Sequence, residues 1–407
     1  MFNILQICQK VPYPPRDGGT IAMNNLTKGL IDLGNEVKVL AINTSKDFVN
    51  VTKLPAGYLS KTRIEAVSID TSLELRDAFT NLFSSRSYNI QRFISGDFES
   101  KLIEILKNDN YDLIQLESLF VTPYIKSIRK YSGAKVVLRA HNVEFEIWKR
   151  MAATCKNPAK KTYLKLLTKR LRKYEQEQLN SYDAIAAITL RDVNFFMEMG
   201  CKVPIIDIPV GTDILDAGTQ HPAPGTKRPA PSLFHLGSMD WMPNTEAIKW
   251  FLDKVWMKIH RQYPELKFYI AGKKIPGWLK KVKNNNVEIV GEVEDAMRFM
   301  NTKSIMIVPL LSGGGMRVKI IEGMALGKIV ISTSIGAEGI QCEHLKNILI
   351  ADTPGEFLDM IGKCMENRSF CDEIGSNARL LIKEHYDNTE IAKKLVDFYK
   401  TLVTVRV

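Results

Sequence analysis

A chain of 407 residues, 45% apolar and 25% charged, has a globular composition and enough length for two α/β domains of ordinary size. No apolar run approaches the roughly 20 residues that cross a bilayer, and the start MFNILQICQKVPYP lacks the basic and long apolar parts of a secretory signal. The net charge of +11 asks for an anionic partner, yet no helix-turn-helix, zinc-finger or RNA-binding signature accompanies it, and six cysteines without C-x-x-C spacing read as free thiols of a reducing cytoplasm, not as a zinc site.

Phe2–Cys8 is an apolar strand. The loop QKVPYPPRDGGT follows, with the Gly18-Gly19 pair, then a helix from about Ile21 to Gly34 and a strand over Glu36–Asn43. Strand, glycine-bearing loop, helix and strand make a βαβ unit with a parallel sheet, and ligands of such sheets bind beyond the carboxyl ends of the strands. Thr44 to about Thr62 shows no period and reads as loop; Arg63–Asp70 reads as a strand. Leu73–Ile94 mixes aromatics and arginines as an amphipathic insert, with Phe79, Phe83 and Phe93 as core candidates. Tyr111–Glu117 is a buried strand with Glu117 at its end. Lys135–Glu146 places a strand just before His141, at the functional edge of the sheet.

Phe145–Tyr182 is the most basic stretch. Leu164, Leu167 and Leu171 recur at helical spacing, as do Lys161, Lys165 and Lys169. Two readings stand side by side: an amphipathic helix whose 149–173 segment lies on an anionic membrane, or a solvated helix whose leucines pack into the domain. Asp183–Thr189 and Val203–Val210 are further strands around a helix that Thr189 caps. Asp216–Ser232 is rich in proline and glycine and reads as a linker.

Leu233–Met239 restarts the strand pattern, and the loop SMDWMPNTEAIKWF leads into a helix with Asn244 as expected cap. Lys267–Lys273, Val287–Val293 and Ser304–Leu310 alternate with helices. After Ser304–Leu310 come Gly313, Gly314 and Gly315, then a helix from Met316 or Arg317 to Ala325 or Leu326, ended by Gly327 before the strand KIVIST. Three glycines bare the backbone to a ligand. The helix start offers free N–H groups and a positive dipole end, with Arg317 and Lys319 as added cations. The pattern is neither a nucleotide P-loop, since no G-K-S/T follows, nor a G-x-G-x-x-G after the first strand. Asn347–Asp352 is the last strand and helices fill the chain from Pro354.

The stretch Ser304–Ile340, SIMIVPLLSGGGMRVKIIEGMALGKIVISTSIGAEGI, closely resembles the donor-site segment of retaining glycosyltransferases of the GT-B fold, family four. Those enzymes usually carry two glutamates separated by seven residues. The second falls on Glu322 and the first on Gly314, a departure matching the branch with a GGG-x-R-x-K form. The S-M-x-W/Y-x-P-N form of the loop after Gly237 belongs to the same branch; it lacks the usual arginine and lysine, so Arg317 and Lys319 are expected to supply that charge.

The resemblance implies an α/β protein of two Rossmann-like domains with parallel sheets facing a cleft. Residues 1–212 would form the acceptor domain, 213–232 a linker, 233–385 the nucleotide-sugar domain and 386–407 a helix crossing back to the first domain. It implies that Glu322 holds the ribose, that Gly313, Gly314, Gly315 and Met316 border the donor, that Gly18 and Gly19 face its diphosphate, and that Gly291 lies beside the base. His141, Arg317 and Lys319 are the catalytic candidates, His141 contacting the transferred sugar; Asp17, Glu117 and Glu144 are acceptor-side candidates. The expected reaction moves a sugar, with retained configuration, from a nucleoside-diphosphate sugar to a hydroxyl of a glycan or lipid-linked acceptor in surface polysaccharide synthesis. It needs no cofactor and no metal, since no D-x-D is present, and takes place in the cytoplasm or on the inner membrane face. The alternatives are a GT-B epimerase or phosphorylase, a non-catalytic nucleotide-sugar binder, and a basic nucleic-acid binder; no nucleic-acid partner is expected.

Overall fold

Runs such as Asn3–Cys8 and Leu113–Glu117 carry apolar residues on both faces, which only a sheet covered on both sides can accommodate. In the computed structural model, which describes residues 1–71, 81, 87–213, 231–282 and 286–403, these two runs pair in the first of two such sheets. The chain divides into one unit of Met1–Gly211 with Asn388–Val407 and a second of Thr212–Asp387. Most of the expected linker, from 214 to 230, falls outside the described residues.

The first unit holds β1 (Asn3–Cys8), β2 (Glu36–Thr44), β3 (Glu65–Ile69), β4 (Leu113–Glu117), β5 (Lys135–Ala140), β6 (Ala184–Ala187) and β7 (Ile205–Asp207), ordered β3-β2-β1-β4-β5-β6-β7 and parallel throughout. The order reverses between β1 and β4, so their carboxyl ends open a crevice where ligands of doubly wound sheets bind. One face packs Leu5, Ile7, Leu116, Leu138 and Phe145. The other packs Ile4, Val39, Leu113 and Val137 against Met23, Leu26 and Leu30 of the Gly18–Asp32 helix. The final helix, Asn388–Val403, closes this second face with Ile391, Leu395, Tyr399 and Leu402.

The second unit holds β8 (Ser232–Leu236), β9 (Lys267–Ala271), β10 (Val287–Gly291), β11 (Ile305–Val308), β12 (Ile329–Ser332) and β13 (Leu349–Ile350), ordered β10-β9-β8-β11-β12-β13 and again all parallel. Its switch point lies between β8 and β11, the strands that feed the Gly237 loop and the glycine triplet. The loops after β8 and β9 touch so closely that a Cβ on Gly272, at φ +152°, would stand 1.7 Å from the Gly237 carbonyl oxygen. Only glycine closes this edge.

Several expectations are corrected. The first helix begins at Gly18, not Ile21, because Asp17 caps it: its side chain accepts from the Thr20 N–H while the Thr20 hydroxyl accepts from the Asp17 N–H. The segment read as loop after Thr44 contains a helix over Ala56–Thr62. Asn244 does not cap its helix, which starts at Met242; the buried Asn244 amide donates to the Ser238 carbonyl at 2.8 Å and ties down the preceding loop. Of the aromatic insert, Phe79 and Phe83 lie outside the described residues, whereas Phe93 stacks on Phe120 with centroids 4.8 Å apart. Thr189 caps its helix as expected, accepting from Asp192 N–H at 3.0 Å.

Candidate active site

β11 ends at Val308, and the chain reaches the helix Val318–Ala325 through the glycine triplet, with Gly313 at φ +115° and Gly315 at φ +79°. Ile320, Ile321 and Met324 anchor the helix in the core, which turns Lys319 and Glu322 to its half-buried side. No side chain among the described residues caps its amino end, so the first N–H groups and the positive dipole end stay available to an anion. The Arg317 guanidinium folds over this end: Nη1 donates to the Gly314 and Gly315 carbonyls, and Cζ lies 5.0 Å from the Trp241 ring centre. A Cβ on Gly313 would come within 2.9 Å of Trp241 and 3.0 Å of Arg317, so the glycine makes room for this stack. Arg317 thus lies against the loop after β8, where Lys274 also pairs with Asp240 at 3.0 Å. Lys319 Nζ pairs with Glu322 Oε2 at 2.6 Å, neutralising the carboxylate and leaving Oε1 without a hydrogen bond among the described residues.

The other glycine pair is arranged differently. Gly18 and Gly19 are the first two residues of their helix, but the Asp17 carboxylate already occupies that amino end and is held at 2.7 Å by Lys10. The structure therefore gives Asp17 a capping part in the fold, where the sequence suggested an acceptor contact. Gly291 ends β10 at φ +83°, and its carbonyl accepts from the Gly272 N–H at 2.7 Å.

A third constellation sits at the carboxyl ends of β4 and β5. Glu117 is fully buried. Its Oε1 accepts from Gln6 Nε2 at 2.6 Å and from Gln115 Nε2, and its Oε2 meets His141 Nε2 at 2.6 Å. The network continues through Gln115 Oε1 to the Tyr399 hydroxyl of the final helix and through Gln6 Oε1 to Thr27. Burial pushes the Glu117 carboxyl up, but the His141 hydrogen bond and charge, Arg139 and Gln6 outweigh it and hold the group below the usual carboxylate range. Arg139, opposite Glu117 in the β4–β5 register, is itself lowered to about 10 by burial, against the pull of Glu117 and Tyr399. Glu117 has no surface for an acceptor contact, contrary to the sequence expectation. Its partners Gln6, Gln115, Arg139 and Tyr399 were not anticipated, although lone polar residues at alternate positions of apolar strands are a signal of a buried polar stripe.

The strand stops at Ala140, just before His141 as expected, and Glu144 opens the Glu144–Thr154 helix, buried at its amino end. Burial raises its carboxyl to about 7 despite an Asn142 hydrogen bond, with Asp192 adding to the rise. Beside it Glu175 accepts from the Glu144 and Phe145 N–H groups at 3.1 and 3.2 Å, and burial with the neighbouring Glu144 raises it to about 8. Glu175 belongs to the basic helix Pro158–Gln178, whose Leu164, Leu167 and Leu171 are buried, so the leucine stripe packs into the domain, while Lys160, Lys165, Lys169, Arg172 and Lys173 remain exposed. No helix among the described residues is long and apolar enough to cross a membrane, and none of their His, Cys, Asp and Glu side chains form a group of three or more that could hold a metal ion.

Residues 230–367 match the family Glycosyl transferases group 1. The match spans the loop after β8, the glycine triplet and Glu322. A Klebsiella pneumoniae protein described as an uncharacterized 44.6 kDa protein in the cps region is 25% identical over 96% of this chain and 98% of its own length. Anabaena HepE, solved in complex with UDP and glucose, superposes with a TM-score of 0.67 at 15% identity, covering 98% of this chain and 100% of that one. A sucrose-phosphate synthase of Thermosynechococcus elongatus superposes with a TM-score of 0.70 at 14% identity over 99% of both chains. With two Rossmann-like units and these neighbours, the fold is GT-B.

Proposed function

We infer that the protein is a retaining glycosyltransferase that moves a hexose from a nucleoside-diphosphate sugar to a hydroxyl of a glycan or lipid-linked acceptor. One observation carries this reading: an uncapped helix start at Val318, reached through three half-buried glycines and flanked by Arg317, inside the segment that matches the family. An expelled diphosphate needs preorganised donors, and N–H groups at a helix start with a guanidinium beside them supply these without reorganisation. Arg317 exchanges the Gly314 and Gly315 carbonyls for phosphate oxygens. Glu322 takes a ribose hydroxyl on Oε1 while Lys319 keeps its charge from repelling the diphosphate. Gly291 lies by the base and His141 meets the transferred sugar.

The relative in a cps region supports a role in surface polysaccharide synthesis, and the neighbour bound to UDP and glucose supports a nucleotide-sugar donor. With its leucines buried, the 149–173 segment would meet an anionic membrane through exposed lysines and Arg172, a contact that salt screens. The glycine at position 314, where the family usually has a glutamate, favours one second reading, a donor-binding protein without turnover.

The test is a thermal-shift screen with UDP, GDP and ADP sugars, followed by product analysis. A rise in melting temperature with one base class, and transfer or slow donor hydrolysis with retained anomeric configuration, is the expected result. Donor binding without turnover selects the second reading, and no response to any sugar nucleotide overturns both.

A further inference from the structure

The buried Glu117 has a use in this reaction that its burial at first conceals. An ionised carboxylate only accepts hydrogen bonds, and Glu117 is ringed by donors: two glutamine amides and one imidazole nitrogen. His141 Nε2 must therefore carry the hydrogen in the 2.6 Å contact with Oε2. A ring that carries this single hydrogen has its lone pair on Nδ1. That atom makes no hydrogen bond among the described residues and is not among the buried polar atoms lacking a partner, so it lies at the small exposed edge of a ring whose side chain is 6% exposed.

The backbone supports the same arrangement. Ser118, directly after Glu117, sits at φ +103°, a region that a non-glycine residue enters only when its surroundings impose it. Its N–H donates to the Arg139 carbonyl at 3.1 Å, and its hydroxyl donates to Gln9 at 2.9 Å. These bonds hold the turn that follows β4 at Glu117. Strain held this firmly beside a histidine with one exposed edge is characteristic of a site.

We propose that Glu117 is a positioning residue: its carboxylate locks His141 in the Nε2–H tautomer, so that Nδ1 accepts a hydrogen bond from a hydroxyl of the transferred sugar. Tyr399, through Gln115, extends the lock to the final helix. The proposal rests on the glycosyltransferase reading for the identity of the hydroxyl, but not for the tautomer.

Two measurements on the full chain separate these parts. In two-bond ¹H–¹⁵N imidazole spectra, with the His141 signal assigned by its loss in His141→Asn, the wild type should show hydrogen on Nε2 and none on Nδ1. A wild-type Nδ1–H ring overturns the proposal whatever the variants do. Glu117→Gln, whose amide can serve as donor or acceptor, should give a mixture of tautomers and lower kcat/KM about 10-fold or more, the scale of one hydrogen bond. UDP binding should stay within about 2-fold. In a His141→Asn background the same change should cost nothing further, because Glu117 acts only through the ring. Additive losses in that cycle overturn the proposal in favour of a scaffold role. If the wild type uses no sugar nucleotide, the glycosyltransferase reading and the sugar contact fall together, and the spectrum still decides the tautomer.

Discussion

Replacing Glu175 by glutamine should raise the stability of the first unit in mild alkali and leave it nearly unchanged in mild acid. Glu175 is 3% exposed, accepts two N–H groups from the start of the Glu144–Thr154 helix, and stands beside Glu144. Its carboxyl rises from 4.5 to about 8, first by burial and then by Glu144, itself raised to about 7. The folded protein therefore binds these protons more tightly than the unfolded chain. The stability so gained is complete below about pH 4.5 and is lost as pH climbs through about 8. One pKa unit is worth about 1.4 kcal/mol, which bounds the effect of Glu175 at about 5 kcal/mol; with the repulsion shared between the two carboxyls, about 2–3 kcal/mol belongs to Glu175. Glutamine keeps an acceptor for one N–H and never ionises. Calorimetry from pH 5 to 8.5 should show the wild-type melting temperature falling while that of Glu175→Gln stays flatter, the variant ending higher by about 4–12 °C. Parallel curves for the two proteins would refute the reasoning, since the buried carboxyl would then titrate alike in the folded and unfolded states.

Other perturbations probe the donor end. Arg317→Ala and Glu322→Ala should each lower kcat/KM for the donor by about 10²-fold or more with a nearly unchanged melting temperature, and loss of the folded state in both would make the glycine loop a structural element only. Gly272→Ala pushes a Cβ to 1.7 Å from the Gly237 oxygen and should cost about 3 kcal/mol or more in urea unfolding; a variant as stable as wild type would show that this loop contact is not required. Transfer activity should persist in EDTA, and activity lost on chelation and restored by Mg²⁺ would count against a diphosphate held by N–H groups and Arg317 alone.

How far the fold and the site could be read from the sequence follows from how local each signal is. Strands buried on both faces announce themselves in a handful of residues, as Asn3–Cys8 and Ile305–Val308 do. The glycine triplet with Arg317 is equally local, since the chemistry that makes it useful lies within one turn of the chain. Helix starts depend on which partner a polar side chain finds: Asp17 opens its helix at Gly18 by its reciprocal bond with Thr20, whereas the Asn244 amide is drawn to the Ser238 carbonyl and does not cap. The Glu117 network could not be assembled in this way, because Gln6, Gln115, His141 and Tyr399 meet only once β1 lies beside β4 and the final helix closes over them.

Glu175 is the instructive case. In a stretch crowded with lysines and arginines, one acid looks like part of a solvated face. Yet Leu164, Leu167 and Leu171 continue in the same helical period to position 175, so the acid belongs to the buried stripe. A carboxyl on that stripe must either find N–H donors or keep its proton, and the start of the neighbouring helix supplies donors at 3.1 and 3.2 Å while the crowding with Glu144 favours the proton. Both answers are present at once, and for that reason the pH dependence of this helix pair, more than its charge, distinguishes a buried acid from a surface one.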